Sequence, residues 1–210
     1  MKKGAFLTLY GINNIGKSTH SKRLVERLQR EGYDPVYLKY PIYDLEPTGP
    51  ELNTILRGGH AQDVSEEDLQ TLFMQNRKDF EPKLRAMLAE GKIVVAEDYT
   101  QTGISWGTAK GLDESWVESL NEELLKEDFS LLLVGERAMH MKEKGHIHES
   151  DDELVMKVDK VLRTRAKRFD WPVIQLQPTK DETAELIWAE VKNFLTEFSV
   201  EKLASQDAAG

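Results

Sequence analysis

One octapeptide near the N-terminus constrains the fold of this chain more than any other feature. Residues 11–18 read Gly-Ile-Asn-Asn-Ile-Gly-Lys-Ser and match the spacing Gly-x-x-x-x-Gly-Lys-Ser. They follow an apolar run at residues 5–10 and precede an amphipathic helical pattern at residues 17–31. Glycines let backbone N–H groups turn around a phosphate, and the helix N-terminus adds partial positive charge. The sequence therefore predicts a phosphate-binding loop between a buried strand and a helix.

The loop is predicted to bind ATP with Mg²⁺. We expect Lys17 to reach the β- and γ-phosphate oxygens and the Ser18 hydroxyl to bind the metal ion. The other positions expected to contact ATP are Gly11, Asn13, Asn14, Ile15, Gly16 and Thr19.

Apolar runs of strand length alternate with helical patterns along the rest of the chain. Further strands are predicted at residues 36–40, 92–96, 129–134 and 172–176. Helices are predicted at residues 65–90, 113–126 and 150–169 and from residue 179 onwards, with a short one near residues 52–56. Pro82 is expected to kink or divide the helix at residues 65–90. This alternation, with nearly wholly apolar strands, predicts an α/β P-loop NTPase fold with a five-stranded parallel sheet covered by helices on both faces.

The chain is predicted to form one domain over residues 1–198. A polar stretch at about residues 137–150 is expected to be a short lid, and residues 199–210 a frayed C-terminal tail. The basic run at residues 163–168 is typical of a solvated helix face. Because the run follows the predicted lid, the alternative is that one of its arginines turns toward phosphate.

Charge and composition narrow the classes of partner. The net charge is −9, which argues against general binding of nucleic acid, because phosphate backbones require clustered Lys and Arg. No apolar run has the length of a membrane span. There are no cysteines, which excludes disulfides and thiolate metal sites and fits a reducing compartment. We expect a cytoplasmic protein that binds small molecules rather than nucleic acid or membranes.

Two adjacent acids, Glu97 and Asp98, follow the third predicted strand. In an open parallel sheet, ligands bind beyond the carboxyl ends of the strands, so these acids are expected beside the phosphate loop as catalytic groups. Alternation along a strand suggests that only one of them points into the site. We favour Glu97 as the carboxylate that holds Mg²⁺ together with Ser18.

A wider set of residues resembles the central signature of thymidylate kinases, over about residues 4–197. The matching segments are Leu72-Phe73-Met74-Gln75-Asn76-Arg77, then Pro82-Lys83-Leu84, Gly91-Lys92-Ile93-Val94-Val95 and Glu97-Asp98-Tyr99, with Tyr40-Pro41 after strand two. The resemblance implies that Phe73 stacks on a pyrimidine base and that Arg77 holds the monophosphate or the base edge. It further implies substrate contacts from Tyr99, Thr102, Gly103 and Trp106, and a possible homodimer.

Several positions depart from the family pattern. Asn13 stands where the family usually has Asp, and Asp98 stands where it has Arg. Tyr43 replaces an arginine that often follows the proline of strand two. In the lid, Lys142 and Lys144 stand in place of arginines that reach the transferred phosphoryl group, and we expect them to be catalytic.

The resemblance thus implies transfer of the γ-phosphoryl group of ATP to a pyrimidine deoxynucleoside monophosphate, with dTMP giving dTDP as the favoured reaction. The departures leave open another acceptor nucleotide or a weakened enzyme. A deoxynucleoside kinase, with Glu97 as base, is the closest alternative. A nucleotide-dependent switch or binding module without kinase activity is the alternative from another class.

Overall fold

The structure, a computed structural model, describes residues 4–57, 64–136 and 152–207, with side chains up to residue 198. The predicted lid, with Lys142 and Lys144, lies outside the described residues. Within them, five strands form one sheet: β1 (Ala5–Tyr10), β2 (Pro35–Lys39), β3 (Ile93–Glu97), β4 (Phe129–Val134) and β5 (Val173–Gln175).

The sheet has the order β2-β3-β1-β4-β5, and every neighbouring pair is parallel. The described helices are α1 (Lys17–Arg30), α2 (Thr48–Arg57), α3 (Glu66–Ala89), α4 (Thr100–Ala109), α5 (Glu114–Leu120), α6 (Asp152–Arg168) and α7 (Lys180–Asp207). The predicted α/β architecture with a five-stranded parallel sheet is confirmed.

The central strands are almost entirely shielded from solvent. All residues of β1 and β3 are buried, as expected for strands covered on both faces. Helices α1 and α7 pack against each other, while α4 packs against α5 and α6 and also contacts α3. The carboxyl ends of β1 and β3 lie at the same edge of the sheet, where Leu9 pairs with Glu97. This edge carries the phosphate loop and both candidate acids.

Some local predictions differ from the structure. Pro82 was expected to kink or divide its helix, and of these two outcomes the division does not occur, because α3 continues through Pro82. The segment predicted as one helix at residues 113–126 is helical only over Glu114–Leu120. Helix α4 was not predicted from sequence, because its segment Thr-Gln-Thr-Gly-Ile-Ser-Trp-Gly-Thr-Ala holds two glycines and several weak helix formers. Helix α7 continues beyond residue 198 to Asp207, over most of the segment predicted to be a tail.

Candidate active site

The phosphate loop has the backbone conformation that its glycines permit. Gly11 and Gly16 have φ values of 151° and 96°, in a region that side chains disfavour. A Cβ on Gly11 would lie 2.9 Å from the carbonyl oxygen of Leu133 on β4, so close packing also requires glycine there. Asn14, between them, has φ 63°, which asparagine tolerates better than most residues. The loop ends at α1, whose N-terminus carries no acidic residue in its first turn.

Lys17 is folded over the loop. Its Nζ donates hydrogen bonds to the carbonyl oxygens of Gly11 and Ile12 at 2.8 and 3.0 Å. The side chain is buried, and Nζ lies 3.7 Å from Oδ1 of Asp98. This places one ammonium group within the loop and beside an acid, where it is positioned to meet phosphate oxygens.

Glu97 is bound to the first turn of α1. Ser18 Oγ donates to Glu97 Oε1 at 2.9 Å, so the hydroxyl and the carboxylate lie side by side. Burial alone would raise the pKa of Glu97, but the charges of Lys17 and Lys39 outweigh it, and the pKa lies below its usual value. The Glu97 carboxylate is therefore negatively charged at neutral pH.

Asp98 also lies at the cleft, although strand alternation predicted that only one of the two acids would. Its φ of 63° breaks the extended conformation and turns the side chain toward Lys17. Thr102 Oγ1 donates to Asp98 Oδ1 at 2.7 Å. Burial raises the pKa of Asp98; Lys17 opposes the rise and the Glu97 carboxylate adds to it. The two acids thus differ in environment: Glu97 accepts a hydrogen bond from Ser18, and Asp98 lies beside the ammonium group of Lys17.

These residues line a cleft of about 570 Å³. At one end, beyond β5 and at the start of α7, the cleft is lined by residues that the sequence analysis did not single out: Leu176, Gln177, Pro178, Thr179, Lys180 and Thr183. The position of that loop after a parallel strand, at the same sheet edge as residues 11–18, is the signal that could have indicated it.

The other end of the cleft is built on α3. Phe73 and Arg77 lie one turn apart on the helix, and the Arg77 guanidinium carbon is 5.9 Å from the Phe73 ring centre. Arg77 is 5 % exposed, and its Nη1 donates to Asn121 Oδ1 at 3.1 Å. Its Nε is buried without a hydrogen-bond partner among the described residues. Burial lowers the pKa of this guanidinium.

Helix α4 faces this pair with a glycine. A Cβ on Gly103 would lie 2.9 Å from Nη2 of Arg77, closer than side-chain contacts allow. Gly103 therefore makes room for the guanidinium, a role more specific than the substrate contact that the resemblance implied. Thr102 and Trp106 on the same helix also line the cleft.

Tyr99, a predicted substrate contact, is among the residues that line the cleft. Its ring is fully buried. The centre of the Tyr99 ring lies 5.0 Å from the ring centre of Phe6 and 4.9 Å from that of Tyr40. The Arg77 guanidinium carbon lies 6.0 Å from the Tyr99 ring centre. Tyr99 thus forms part of the floor that supports Arg77.

Two residues of β2 complete the site and were missed from sequence. Tyr37 donates through its hydroxyl to Glu97 Oε2 at 2.6 Å, and Lys39 Nζ lies 3.2 Å from Glu97 Oε1. They are two positions apart, so both side chains point to the same face of the strand. The spacing of these two residues, just before Tyr40-Pro41, was the sequence signal that could have indicated them. Lys39 adds a second ammonium group to the cleft.

The arginines of α6 do not contribute to the described part of the cleft. Arg165 is 2 % exposed and forms ion pairs with Glu114 and Glu118, the second at 2.8 Å. Arg163 pairs with Asp159 on its own helix at 2.6 Å. The predicted solvated basic face is therefore partly wrong, because Arg165 joins α6 to α5 in the interior.

Comparison with known proteins places this architecture in a family. The sequence profile described as Thymidylate kinase matches residues 9–204. The thymidylate kinase of Dictyostelium discoideum is 25% identical over 190 residues, which cover 89% of this chain and 84% of that protein. A Pyrococcus abyssi protein named "Probable thymidylate kinase" is 28% identical over 210 residues, covering 92% and 98% of the two chains.

A solved structure shares the fold. The thymidylate kinase of Candida albicans superposes with a TM-score of 0.78 at 20% identity, covering 91% of this chain and 92% of that one. In this chain, no helix among the described ranges is both long and apolar enough to span a membrane. From its profile match over most of its length, together with its fold and its phosphate loop, the chain belongs to the thymidylate kinase family.

Proposed function

We propose that this chain transfers the γ-phosphoryl group of ATP to dTMP, with Mg²⁺, to give dTDP and ADP. The observation that carries the proposal is the single cleft that joins the phosphate loop to the Phe73 and Arg77 pair. One end has the groups that hold polyphosphate, and the other has an aromatic ring beside a guanidinium. An aromatic ring suits a base, because every base offers a π-face for stacking.

The residues present fit a magnesium ion. The adjacent Ser18 hydroxyl and Glu97 carboxylate offer two oxygen ligands, with Glu97 held in its anionic form. The described residues contain no cluster of three or more His, Cys, Asp or Glu side chains. Mg²⁺ does not need such a cluster, because it keeps several waters and completes its shell with substrate phosphates. When bound, it neutralises charge on the β- and γ-phosphates.

Phosphoryl transfer depends on positioning and charge neutralisation more than on covalent chemistry by the protein. When ATP binds, we expect the Lys17 ammonium group to leave the carbonyl oxygens of Gly11 and Ile12 and to bind the β- and γ-phosphate oxygens. Lys39, on β2, supplies a second positive charge beside the Glu97 carboxylate. Arg77 and Phe73 hold the acceptor, and Gly103 leaves room for the Arg77 guanidinium. Lys142 and Lys144 are proposed to add charge from the lid.

The test is a coupled ADP-release assay across dTMP, dUMP, dCMP, UMP and thymidine, with and without Mg²⁺. We expect Mg²⁺-dependent turnover with dTMP above all other acceptors. Turnover with none of the monophosphates would contradict the proposal.

One observation favours a second candidate, a deoxynucleoside kinase. Asp98 places a second acid at the cleft, close to Lys17, at a position where the family pattern has arginine. An acid there suits an acceptor hydroxyl better than an acceptor phosphate. Faster turnover of thymidine than of dTMP in the same assay would establish this alternative.

A further inference from the structure

A buried amide on α3 has one unsatisfied atom. Gln70 is 1 % exposed and lines the cleft. Its Oε1 has no hydrogen-bond partner among the described residues. A buried carbonyl oxygen without a partner is costly, so a group that donates a hydrogen bond to it would bind favourably.

The neighbours of this oxygen place it in the acceptor end of the cleft. Oε1 of Gln70 and Nη2 of Arg77 each lie 2.9 Å from the point where a Cβ on Gly103 would stand. Gln70, Phe73 and Arg77 are three and four residues apart, so they share one face of α3. An acceptor atom and a donor group therefore lie together beside the ring proposed to stack on the base.

The orientation of the amide is fixed by two further residues. Nε2 of Gln70 donates to Oε1 of Glu66 at 2.8 Å, and Lys110 Nζ donates to the other carboxylate oxygen at 2.6 Å. An ionised carboxylate only accepts hydrogen bonds, so the NH₂ group of Gln70 must face Glu66. Lys110 holds that carboxylate from α4. The carbonyl oxygen of Gln70 is thereby directed away from Glu66, toward Gly103.

We infer that Gln70 is a specificity-determining residue that accepts a hydrogen bond from the N3–H group of thymine or uracil, and that Glu66 and Lys110 fix it in this orientation. The inference rests on the proposed function. Thymine and uracil offer N3–H as a donor beside the O4 acceptor. Cytosine offers an N3 acceptor beside an amino donor, which would oppose both Gln70 Oε1 and Arg77. The fixed amide therefore selects dTMP and dUMP over dCMP.

The inference predicts the effect of two substitutions. Gln70→Leu removes the acceptor at similar size, and kcat/KM should fall about five- to 100-fold for dTMP and dUMP but not for dCMP. Glu66→Gln lets the amide of Gln70 rotate, because a glutamine at residue 66 can donate as well as accept, and the dTMP to dCMP ratio should fall. Glu67→Gln is the matched control: it makes the same chemical change on an exposed part of the first turn and should leave the ratio unchanged.

The experiment measures kcat/KM for dTMP, dUMP and dCMP and KM for ATP in these variants, with thermal melting to confirm folding. A reduced ratio in Gln70→Leu and Glu66→Gln, with unchanged KM for ATP, supports the inference. An unchanged ratio in either folded variant overturns it, and if Gln70→Leu does not fold, the partly exposed Glu66→Gln decides alone. A wild-type protein that phosphorylates no thymine or uracil monophosphate overturns the proposed function itself, and the inference with it.

Discussion

Replacement of Gly103 by alanine should impair use of the acceptor while the protein stays folded. The added Cβ would stand 2.9 Å from Nη2 of Arg77, whereas ordinary contact begins at 3.4 Å. The guanidinium must therefore withdraw by about 0.5 Å. It has little freedom to do so, because it is buried, bonds to Asn121 and lies 5.9 and 6.0 Å from the ring centres of Phe73 and Tyr99.

The magnitude follows from this displacement. A misplacement of about 1 Å in a substrate-positioning group can cost about 100-fold in rate, so half of that distance predicts a loss of about tenfold in kcat/KM for dTMP. Two opposing effects act on stability. Alanine gains about 1 kcal/mol over glycine inside a helix, while overpacking costs about 1–3 kcal/mol. The free energy of unfolding should therefore fall by about 0–2 kcal/mol.

The assay compares kcat/KM for dTMP and KM for ATP in Gly103→Ala and in a matched control, Gly107→Ala. Gly107 is one turn further along the same helix. The three atoms nearest to its Cβ would be Val117 Cγ2 at 3.2 Å, Gln70 Cγ at 3.4 Å and Leu112 Cδ1 at 3.4 Å, and none of them belongs to Arg77. The control should retain wild-type use of dTMP. A folded Gly103→Ala protein with unchanged kcat/KM for dTMP would refute the reasoning, as would an equal rise of KM for both substrates.

Four further predictions concern the charged groups. Lys17→Ala should lower kcat at least about 100-fold without loss of folding, measured by ADP release and circular dichroism; near wild-type turnover would contradict the assigned role. Glu97→Gln should raise the Mg²⁺ concentration needed for half-maximal activity about tenfold, and an unchanged Mg²⁺ titration would exclude it as a metal ligand. Asp98→Asn should gain stability over wild type as pH rises above about 4, because the raised pKa of Asp98 means that native-state stability is lost as its carboxyl ionises; melting curves across pH check the sign. Lys142→Ala combined with Lys144→Ala should lower kcat more than it raises KM for ATP, and an unchanged kcat would refute the lid proposal.

The elements that local sequence determines were predicted well. Each strand is a short apolar run, and the phosphate loop stands in the one context that its glycines require. The start of α3 was also predicted within one residue, and Ser65 there accepts a hydrogen bond from the backbone N–H of Asp68. Such features depend on residues a few positions apart, so the sequence displays them directly.

The features that were missed depend on tertiary contacts. Helix α4 has weak intrinsic propensity and forms where it packs against α3, α5 and α6. From sequence, Gly103 argues against a helix, and its role in leaving room for the Arg77 guanidinium is apparent only in the structure. The bond between Lys110 and Glu66 joins residues 44 positions apart, which no local pattern reveals. Asp98 departs from the alternation rule because its backbone is left-handed, with φ 63°, and the alternation of a regular strand does not predict that conformation.

The order of strands in the sheet bears on how such an enzyme can evolve. Strand β1 is the central strand of the sheet. One wall of the cleft, with Phe73 and Arg77, lies on the side of β2 and β3, and the opposite wall, with residues 176–180, follows β5. The two walls meet at the phosphate loop, which Glu97 and Asp98 contact through Ser18 and Lys17. Mutations at other, distant sites on the two walls, without common partners, tend to act independently. Single substitutions on α3 and α4 can thus change the specificity for the acceptor during evolution while the binding of ATP is retained. Two of the departures from the family pattern, Tyr43 and Asp98, line the cleft on the side of β2 and β3.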